Sequence, residues 1–277
     1  MTTRIIDTGT DHLRAEVSDG IAVLTMNRPE RRNALSGDML SGMELALEEC
    51  ATSPEVRCVV LTGTGGAFCA GGDVKGMAEG SARGAGTAAS YDERVHGQRL
   101  SQRATSGAVW SMPKPTIAVL PVPAAGAGLS LALACDLRIA VDTAVMTTAF
   151  ARVGFSGDYG GTWFLTQLVG PAKAKELYLL SGKLDMTEAQ SLGLVNFVFP
   201  ADRLEAGWRG VAGQLATRPS IAYRFMIENI NRAALGADVM DCMDLEVTHH
   251  THCGQTEDHR NAAQAFVDKQ EPVFHGR

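Results

Sequence analysis

Residues 66–74 read Gly-Ala-Phe-Cys-Ala-Gly-Gly-Asp-Val, and they follow an apolar run at 57–62 that is typical of a buried strand. Glycine in such a turn allows unusual backbone angles and close approach between backbones. Two later turns, at 124–128 and 154–161, have the same character and also lead from apolar sequence into predicted helices. Helix starts leave N–H groups without carbonyl partners, so two such turns aimed at one point would form an oxyanion hole.

The segments before this turn predict an α/β fold. Residues 21–26 are apolar and indicate a buried strand, which ends before Pro29 because proline cannot continue a strand ladder. Apolar side chains then recur at helical spacing over 38–50, with Ser36 as the predicted N-cap. With the strand at 57–62, this order of strand, helix and strand is typical of a βαβ-like unit.

The segments after the turn predict further strands and then helices. Residues 76–90 are rich in Gly, Ala and Ser, which indicates a mobile loop. The middle of the chain predicts helices over 91–112 and 129–135, strands at 116–120, 137–141 and 145–149, and a helix beginning near Gly161. From about residue 200 the pattern is helical, with candidate helices over 201–216, 219–235, 237–250 and 255–268.

The composition argues against several classes of protein. The chain has 277 residues, 45% of them hydrophobic, which is enough to bury a large core. The formal net charge of -6 argues against nucleic-acid binding. No apolar run approaches the ~20 residues of a membrane-spanning helix, and no secretory signal is visible at the N-terminus. The 6 cysteines form no Cys-x-x-Cys pair, so we expect a reduced, cytoplasmic protein.

Each glycine-rich turn taken alone has a simpler interpretation, which is a change of chain direction. The sequence contains no G-x-x-x-x-G-K-[ST] phosphate loop and no dinucleotide-binding G-x-G-x-x-G motif in the required context. It also contains no G-x-S-x-G nucleophile elbow. A function for these turns therefore has to come from their combination.

Taken in order, the motifs resemble the signatures of the crotonase (enoyl-CoA hydratase/isomerase) superfamily. The first is Met26-Asn27-Arg28-Pro29-Glu30-Arg31-Arg32-Asn33-Ala34-Leu35, the second is the turn at 66–74, and the third runs from Ala124 to Asp136. Later matches lie at 153–162, 168–170 and 189–195, and in the tail at 256–258, 265–266 and 272–274. The resemblance spans roughly residues 10–277.

The resemblance implies a fold and an assembly. The fold of the family is a spiral of repeated β-β-α units with a C-terminal helical trimerisation region. We therefore expect an α/β crotonase-like spiral core over residues 1–200 and a helical oligomerisation region over residues 201–277. We also expect a homotrimer or a dimer of trimers, because these are the usual assemblies of the family.

The resemblance also implies a substrate and the backbone half of a site. The expected substrate is an acyl-CoA thioester, in which coenzyme A is part of the substrate, and no separate cofactor is expected. Gly72 and Ala127 match the two oxyanion N–H donors, the second of which is usually glycine in the family. Ala70 matches a backbone contact to the adenine end of coenzyme A. Phe266 and Lys269 match tail positions that reach the coenzyme A of a neighbouring subunit, although an ordinary surface lysine is the alternative for Lys269.

The side-chain half of the site departs from the hydratase pattern. Hydratases of the family hold a water between two glutamates, and these positions fall at Ser130 and Phe150 here. Neither residue is an acid, which puts hydration by that mechanism in doubt, and both are assigned to the substrate pocket. Asp158, in the third turn, matches an aspartate of several family isomerases and of 4-chlorobenzoyl-CoA dehalogenases.

As a general base, Asp158 could take a proton from the acyl chain and return it at another carbon. Apolar neighbours would raise its pKa by desolvation. The alternative is that Asp158 only caps a helix or closes an Asx turn. Dehalogenase chemistry would instead use Asp158 as a nucleophile and needs a histidine from the preceding helix, where Arg103 falls and His96 is the nearest histidine. Asp92 and Glu93 are candidates for a second acid.

A histidine cluster in the last third has the residue types of a zinc site. It reads His249-His250-Thr251-His252-Cys253. On a helix, His249 and Cys253 share one face while His250 points elsewhere. We therefore expect a polar helix face or a subunit contact and no metal.

The expected function is that of an enoyl-CoA hydratase/isomerase, with double-bond isomerisation favoured over hydration. The alternatives within the family are an enoyl-CoA hydratase proper, a dehalogenase-like acyl-CoA hydrolytic enzyme and a non-catalytic acyl-CoA-binding member. An assembly protein that keeps the fold only for its subunit interface is a further alternative.

Overall fold

The predicted strand at 21–26 lies within a seven-stranded sheet, as the computed structural model of residues 3–74, 76 and 89–277 shows. The strands of this sheet, in spatial order, are β1 (Arg4–Ile6), β2 (Leu13–Ser18), β3 (Ile21–Met26), β4 (Cys58–Gly63), β5 (Thr116–Leu120), β7 (Leu137–Val141) and β10 (Phe197–Phe199). A second sheet has three strands, which are β6 (Ala124–Ala125), β8 (Val145–Thr147) and β9 (Leu184–Asp185).

The main sheet begins with antiparallel strands and continues with parallel ones. β1 pairs with β2, and β2 with β3, in antiparallel register, and Ser18 opposes Ile21 across the two-residue turn Asp19-Gly20. Both turn residues have positive φ, as the tight hairpin turn requires. From β3 through β4, β5 and β7 to β10 the pairing is parallel. The central strands are almost completely buried, as parallel strands covered on both faces should be.

The described helices agree with most of the predicted ones. They are α1 (Gly37–Thr52), α2 (Tyr91–Gln102), α3 (Ala127–Ala134), α4 (Gly161–Leu180), α5 (Met186–Ser191), α6 (Leu204–Ala216), α7 (Ser220–Ala234), α8 (Val239–Gly254) and α9 (Glu257–Asp268). The Ser36 hydroxyl accepts from the Met39 N–H and caps α1, as predicted. α2 continues as a π-helix over Arg103–Gly107 and ends in one further turn at Ala108–Trp110.

The mobile loop predicted over 76–90 lies for the most part outside the described residues. Its last residue, Ser90, caps α2 in a reciprocal arrangement with Glu93. The Glu93 carboxylate accepts from the Ser90 N–H at 2.7 Å, and the Ser90 hydroxyl accepts from the Glu93 N–H at 3.2 Å. The start of α2 is therefore fixed by its own capping box.

The C-terminal helices differ in how they pack. Trp208, Ala212 and Ala216 of α6 are buried in the hydrophobic core, whereas α7 has no buried residue. The tail returns towards the body of the protein, because the Arg57 side chain donates to the Phe274 carbonyl at 3.1 Å. The buried Asp258 carboxylate of α9 also accepts from the backbone N–H groups of His275 and Gly276. The division into regions at residue 200 stays a prediction.

No helix within the described ranges combines the length and the apolar character needed to cross a membrane.

Candidate active site

The first two glycine-rich turns pack directly against each other. Cys69 and Ala124 form a bridge between the turns, and the Ala125 N–H donates to the Cys69 carbonyl at 3.0 Å. Gly71 has φ +89, and a Cβ atom placed on it would lie 2.9 Å from the Ala125 carbonyl oxygen and 3.1 Å from the Ala127 nitrogen. Glycine is therefore required at position 71 for the backbones to approach this closely.

The first motif of the sequence holds the turn at 66–74 in place. The buried Asn33 amide donates to the carbonyl oxygens of Thr64 at 2.8 Å and Ala67 at 2.7 Å, and it accepts from the Arg28 N–H at 2.8 Å. The Leu35 N–H donates to the Gly71 carbonyl. The sequence shows that this motif is present, but it does not show that its asparagine supports the neighbouring turn.

Gly72 and Ala127 follow the contact between the turns and line the same hollow. Among the described residues, neither backbone N–H donates a hydrogen bond to a protein acceptor. Ala127 is the first residue of α3, where an N–H has no partner within the helix. Gly126 before it carries the positive φ of +52. Alanine can therefore stand at position 127, because the unusual backbone angle belongs to its neighbour.

The hollow has a volume of about 400 Å³. Its walls come from the two turns, from one face of α2 and from the third glycine-rich turn, and they include Ala70, Val74, Gln98, Gln102, Phe150, Val153, Phe155 and Asp158. The surface is largely apolar, and two backbone N–H groups and one carboxylate also line it. This combination is typical of small-molecule sites.

Asp158 lies in a tightly wound turn that leads into α4. Gly157, Tyr159 and Gly160 all have positive φ, at 117, 51 and 74°. The Asp158 carbonyl accepts from the Gly161 N–H at 3.1 Å, and the Tyr159 N–H donates to the Gln102 side-chain oxygen at 3.0 Å. The N-cap of α4 is Gly160, with no side-chain cap. The Asp158 carboxylate therefore does not cap the helix that follows it.

The carboxylate of Asp158 is electrostatically unusual. Its Oδ1 atom is buried and has no hydrogen-bond partner among the described residues. Burial raises the pKa of Asp158 from 3.8 to about 6, because a low-dielectric surrounding disfavours the charged form. A carboxyl group with a pKa near neutrality exchanges protons readily in both directions, as a general acid–base group must.

Comparison with known proteins agrees with the geometry. Residues 16–277 match the family model described as enoyl-CoA hydratase/isomerase. The chain belongs to the enoyl-CoA hydratase/isomerase family. It is 37% identical to a protein of Rhodobacter capsulatus named "probable enoyl-CoA hydratase", over 96% of this chain and 98% of the relative. It is 31% identical to the 1,2-epoxyphenylacetyl-CoA isomerase of Escherichia coli, over 96% of this chain and 99% of that one.

Solved structures show the same fold. The enoyl-CoA hydratase structure from Bacillus anthracis matches with a TM-score of 0.87 and 30% identity, covering 96% of this chain and 100% of the other. The resemblance to the crotonase superfamily and the mixed α/β fold are thereby confirmed. The protein is an enzyme of the hydratase/isomerase type.

The two positions that the motif resemblance matches to the glutamates of the family's hydratases differ in their surroundings. Phe150 lines the hollow, and its ring stacks on Tyr178. Ser130 is buried one layer behind, where a Cβ atom added to Gly161 would meet the Ser130 Oγ at 2.1 Å and the Tyr178 hydroxyl at 2.7 Å. Ser130 is not among the lining residues of the hollow, so its assignment to the substrate pocket stays a prediction.

Sequence reasoning did not single out Tyr178, Gln98 or Gln102. Burial, together with the negative charge of the nearby Asp158, raises the pKa of Tyr178 to about 12. Gln98 and Gln102 lie one helical turn apart on α2 and both line the hollow. Their spacing of four residues was the only signal in the sequence, and it carries no information about which residues face the site.

The remaining acids and bases of α2 lie elsewhere. Glu93 is committed to the capping box. Asp92 and His96 are exposed, and none of these three lines the hollow. Arg103, which the resemblance matches to the dehalogenase histidine, does not line the hollow and borders a neighbouring depression that shares Gln98 and Gln102 with it. The described residues therefore give the dehalogenase alternative no water-activating histidine.

The positions expected to contact coenzyme A are accessible. Ala70 is exposed at the rim of the hollow. Phe266 is 85% exposed on α9, and Lys269 ends the same helix with a φ of +53. A contact with a neighbouring subunit stays a prediction for the last two.

The histidine cluster has a local explanation. His249 is buried between α7 and α8, stacks on Phe225 at 4.1 Å between ring centroids, and its Nδ1 pairs with the Asn229 side-chain oxygen at 2.6 Å. His252 meets the edge of the same phenyl ring. No group of three or more potential metal ligands occurs in the described part of the chain.

Proposed function

We propose that the enzyme shifts a double bond in an acyl-CoA thioester through an enolate that Gly72 and Ala127 stabilise, with Asp158 as the acid–base group. The observation that carries the proposal is the half-buried Asp158 carboxylate, whose Oδ1 is buried without a partner and which lines the same hollow as two unused backbone N–H groups.

The chemistry follows from these groups. The thioester oxygen would accept hydrogen bonds from the N–H groups of Gly72 and Ala127, and each such donor is typically worth about 3–4 kcal/mol in the transition state. Asp158 would remove a proton from the acyl chain, and the electron pair would move onto the thioester oxygen as the enolate forms. The protonated Asp158 would return the proton at another carbon, which moves the double bond and restores the carboxylate.

The side chains favour isomerisation over hydration. Hydration needs an activated water, and the family's two-glutamate mechanism has no counterpart at Ser130 and Phe150. Asp158 is the only carboxylate among the described residues that line the hollow. A single group that alternates between base and acid is sufficient for a proton shuttle.

The C-terminal helices support the expected assembly as a homotrimer or a dimer of trimers. α7 and α8 expose a set of large apolar side chains, which are Met226, Ile230, Val239, Met240, Met243 and Val247. Large exposed apolar side chains grouped on neighbouring helices are typical of subunit interfaces. Light scattering coupled to size-exclusion chromatography would give the number of subunits.

The free cysteines support a reducing compartment such as the cytoplasm. Cys50, Cys58, Cys69 and Cys135 are buried thiols without disulfide partners. Reduced, buried cysteines are the rule in such compartments.

The test is a panel of 2-enoyl-CoA and 3-enoyl-CoA esters, followed for double-bond shift, water addition and solvent deuterium exchange. We expect exchange and double-bond shift in the wild type, and a loss of about 10²–10⁴-fold in turnover with retained ester binding in Asp158→Asn. Water addition at enzymatic rates would instead favour a hydratase. Binding without exchange on any ester would favour a non-catalytic member of the family.

A further inference from the structure

The side chain of Gln102 has a fixed orientation. Its Oε1 atom accepts from the Tyr159 backbone N–H at 3.0 Å. A backbone N–H can only donate, so the oxygen of the amide must face Tyr159 and the Nε2 group must point the other way. The residue that anchors the turn next to Asp158 therefore also presents a hydrogen-bond donor.

Gln102 belongs to the wall of the hollow and also borders a neighbouring depression along α2. Gln102 lines the hollow together with Asp158, and no described residue accepts from its Nε2 atom. The backbone around Gln102 is also held, because its carbonyl accepts from the Ser106 hydroxyl at 3.1 Å where α2 changes into the π-helix. π-helical turns within α-helices occur frequently at functional sites.

Gln98, one helical turn earlier, makes different side-chain contacts. It also lines the hollow, but its side chain lies beside the Tyr159 hydroxyl. Gln102 thus carries the amide donor that is left without a partner, in a wall otherwise dominated by Phe150, Val153 and Phe155. An unmatched donor in an apolar pocket discriminates against a ligand that offers it no acceptor.

We propose that Gln102 is a specificity-determining residue that donates from Nε2 to an acceptor oxygen on the acyl group. The preferred substrate is then an acyl-CoA whose acyl chain carries a keto or ether oxygen near the carbon that Asp158 faces. A purely hydrocarbon chain would leave the donor unpaired when it displaces water from the hollow. The inference rests on the proposed function, because it concerns the substrate class of that same site.

The test measures equilibrium binding by isothermal titration calorimetry with matched pairs of esters. Each pair has a straight-chain acyl-CoA and the same ester with one keto oxygen, placed at successive carbons beyond the β-carbon. We expect wild type to bind one of the keto esters about tenfold more tightly than its parent, as one added hydrogen bond provides. Absence of a preference at every keto position would overturn the proposal.

Two variants at position 102 distinguish the role of the Nε2 donor from that of the Oε1 atom, which accepts from the Tyr159 N–H. Gln102→Glu keeps an acceptor for the Tyr159 N–H and replaces the donor by an oxygen, and Gln102→Met removes both. The quantity compared is the ratio of the two dissociation constants within each variant, so a general loss of binding cancels. We expect the preference to vanish in Gln102→Met and to reverse in Gln102→Glu, and a preserved preference in both would contradict the proposal.

Gln98→Glu is the matched control, because it adds the same charge one turn away on the same face. It should keep the keto preference, and an equal loss in both glutamate variants would assign the effect to charge and overturn the role of Gln102. Solvent deuterium exchange on the parent esters is measured in parallel. Exchange without a keto preference would reject only this inference, whereas no exchange on any ester would reject the proposed function itself.

Discussion

The ring of Phe150 lies parallel to the ring of Tyr178, with 5.8 Å between the centroids and 6° between the planes. The motif resemblance predicts a hydratase glutamate at the position of Phe150, and on that match an aromatic pair replaces a charge at this side of the site. The Tyr178 ring continues beneath the turn that carries Asp158, since a Cβ atom on Gly157 would lie 3.0 Å from its Cε1 and 3.5 Å from its hydroxyl. The stacked rings of Phe150 and Tyr178 thereby contribute to the desolvation of the Asp158 carboxylate.

The Tyr178→Phe substitution should change the pH dependence more than the maximal rate. It keeps the stacked ring and removes the hydroxyl, which would lie 3.5 Å from a Cβ atom on Gly157 in the Asp158 turn. With less polar surroundings the pKa of Asp158 should rise further, and the acidic limb of kcat/KM should move up by about half a pH unit. Tyr223→Phe, on α7, is the control. If the acidic limb of the kcat/KM profile is at the same pH in Tyr178→Phe and in wild type, the hydroxyl does not affect the pKa of Asp158.

The rate of the wild-type enzyme should depend on the ionisation of Asp158. Burial raises the pKa of this carboxyl to about 6, and only the ionised form can accept a proton. We therefore expect kcat/KM for double-bond shift to increase about tenfold per pH unit below the pKa and to become level above it. The measurement is a pH profile with a substrate that has no titrating group in this range, and a limb near the ordinary aspartate pKa would contradict the assignment.

The framework around the site was largely predictable from the sequence. The apolar runs of β3, β4, β5 and β7 and the N-cap Ser36 are local signals, because burial on both faces and helix capping leave direct traces in composition. β2 was missed although Leu13, Ala15 and Val17 alternate with exposed residues and the Asp19-Gly20 pair marks a hairpin. That pattern was available and would have predicted the antiparallel edge of the sheet.

The site itself was predictable only in part. Gly72, Ala127 and Asp158 belong to motifs, and the structure brings all three to one hollow. Gln102 and Tyr178 lie far from Asp158 in sequence, and their roles depend on the packing of α2 and α4 around one turn. Such contacts leave no local periodicity, so composition and spacing could not identify them.

The partly buried charge of Asp158 should lower the stability of the enzyme at neutral pH. Between the ordinary pKa of 3.8 and the raised value of about 6, the folded protein binds more protons than the unfolded chain, so the free energy of unfolding falls as the pH rises. Asp158→Asn removes the charge. The Tm of Asp158→Asn minus that of wild type should therefore increase between about pH 4.5 and pH 7.5.

Thermal melts of both proteins across this range provide the measurement. Asp142→Asn, at an exposed position, is the control and should show no comparable trend. A Tm difference for Asp158→Asn that stays constant or decreases with pH would contradict a raised pKa in the folded protein.

The contact between the glycine-rich turns at 66–74 and 124–128 should tolerate no side chain at position 71. A methyl group on Gly71 would lie 2.9 Å from the Ala125 carbonyl oxygen and 3.1 Å from the Ala127 nitrogen, at a φ of +89 that alanine rarely adopts. Gly71→Ala should push the Gly72 and Ala127 N–H groups apart and lower kcat by about 10²–10³-fold, the effect of losing an oxyanion donor.

Gly66→Ala is a matched control in the same turn, because a Cβ atom at Gly66 has no neighbour within 4 Å and needs no positive φ. It should retain kcat within about twofold, since substitutions that touch no neighbour usually have little effect. Steady-state kinetics and circular dichroism on both variants separate loss of the site from loss of the fold. If Gly71→Ala keeps wild-type kcat in a folded protein, the close approach of the turns is not what positions the two donors, because strain at Gly71 would then be absorbed without moving either N–H group.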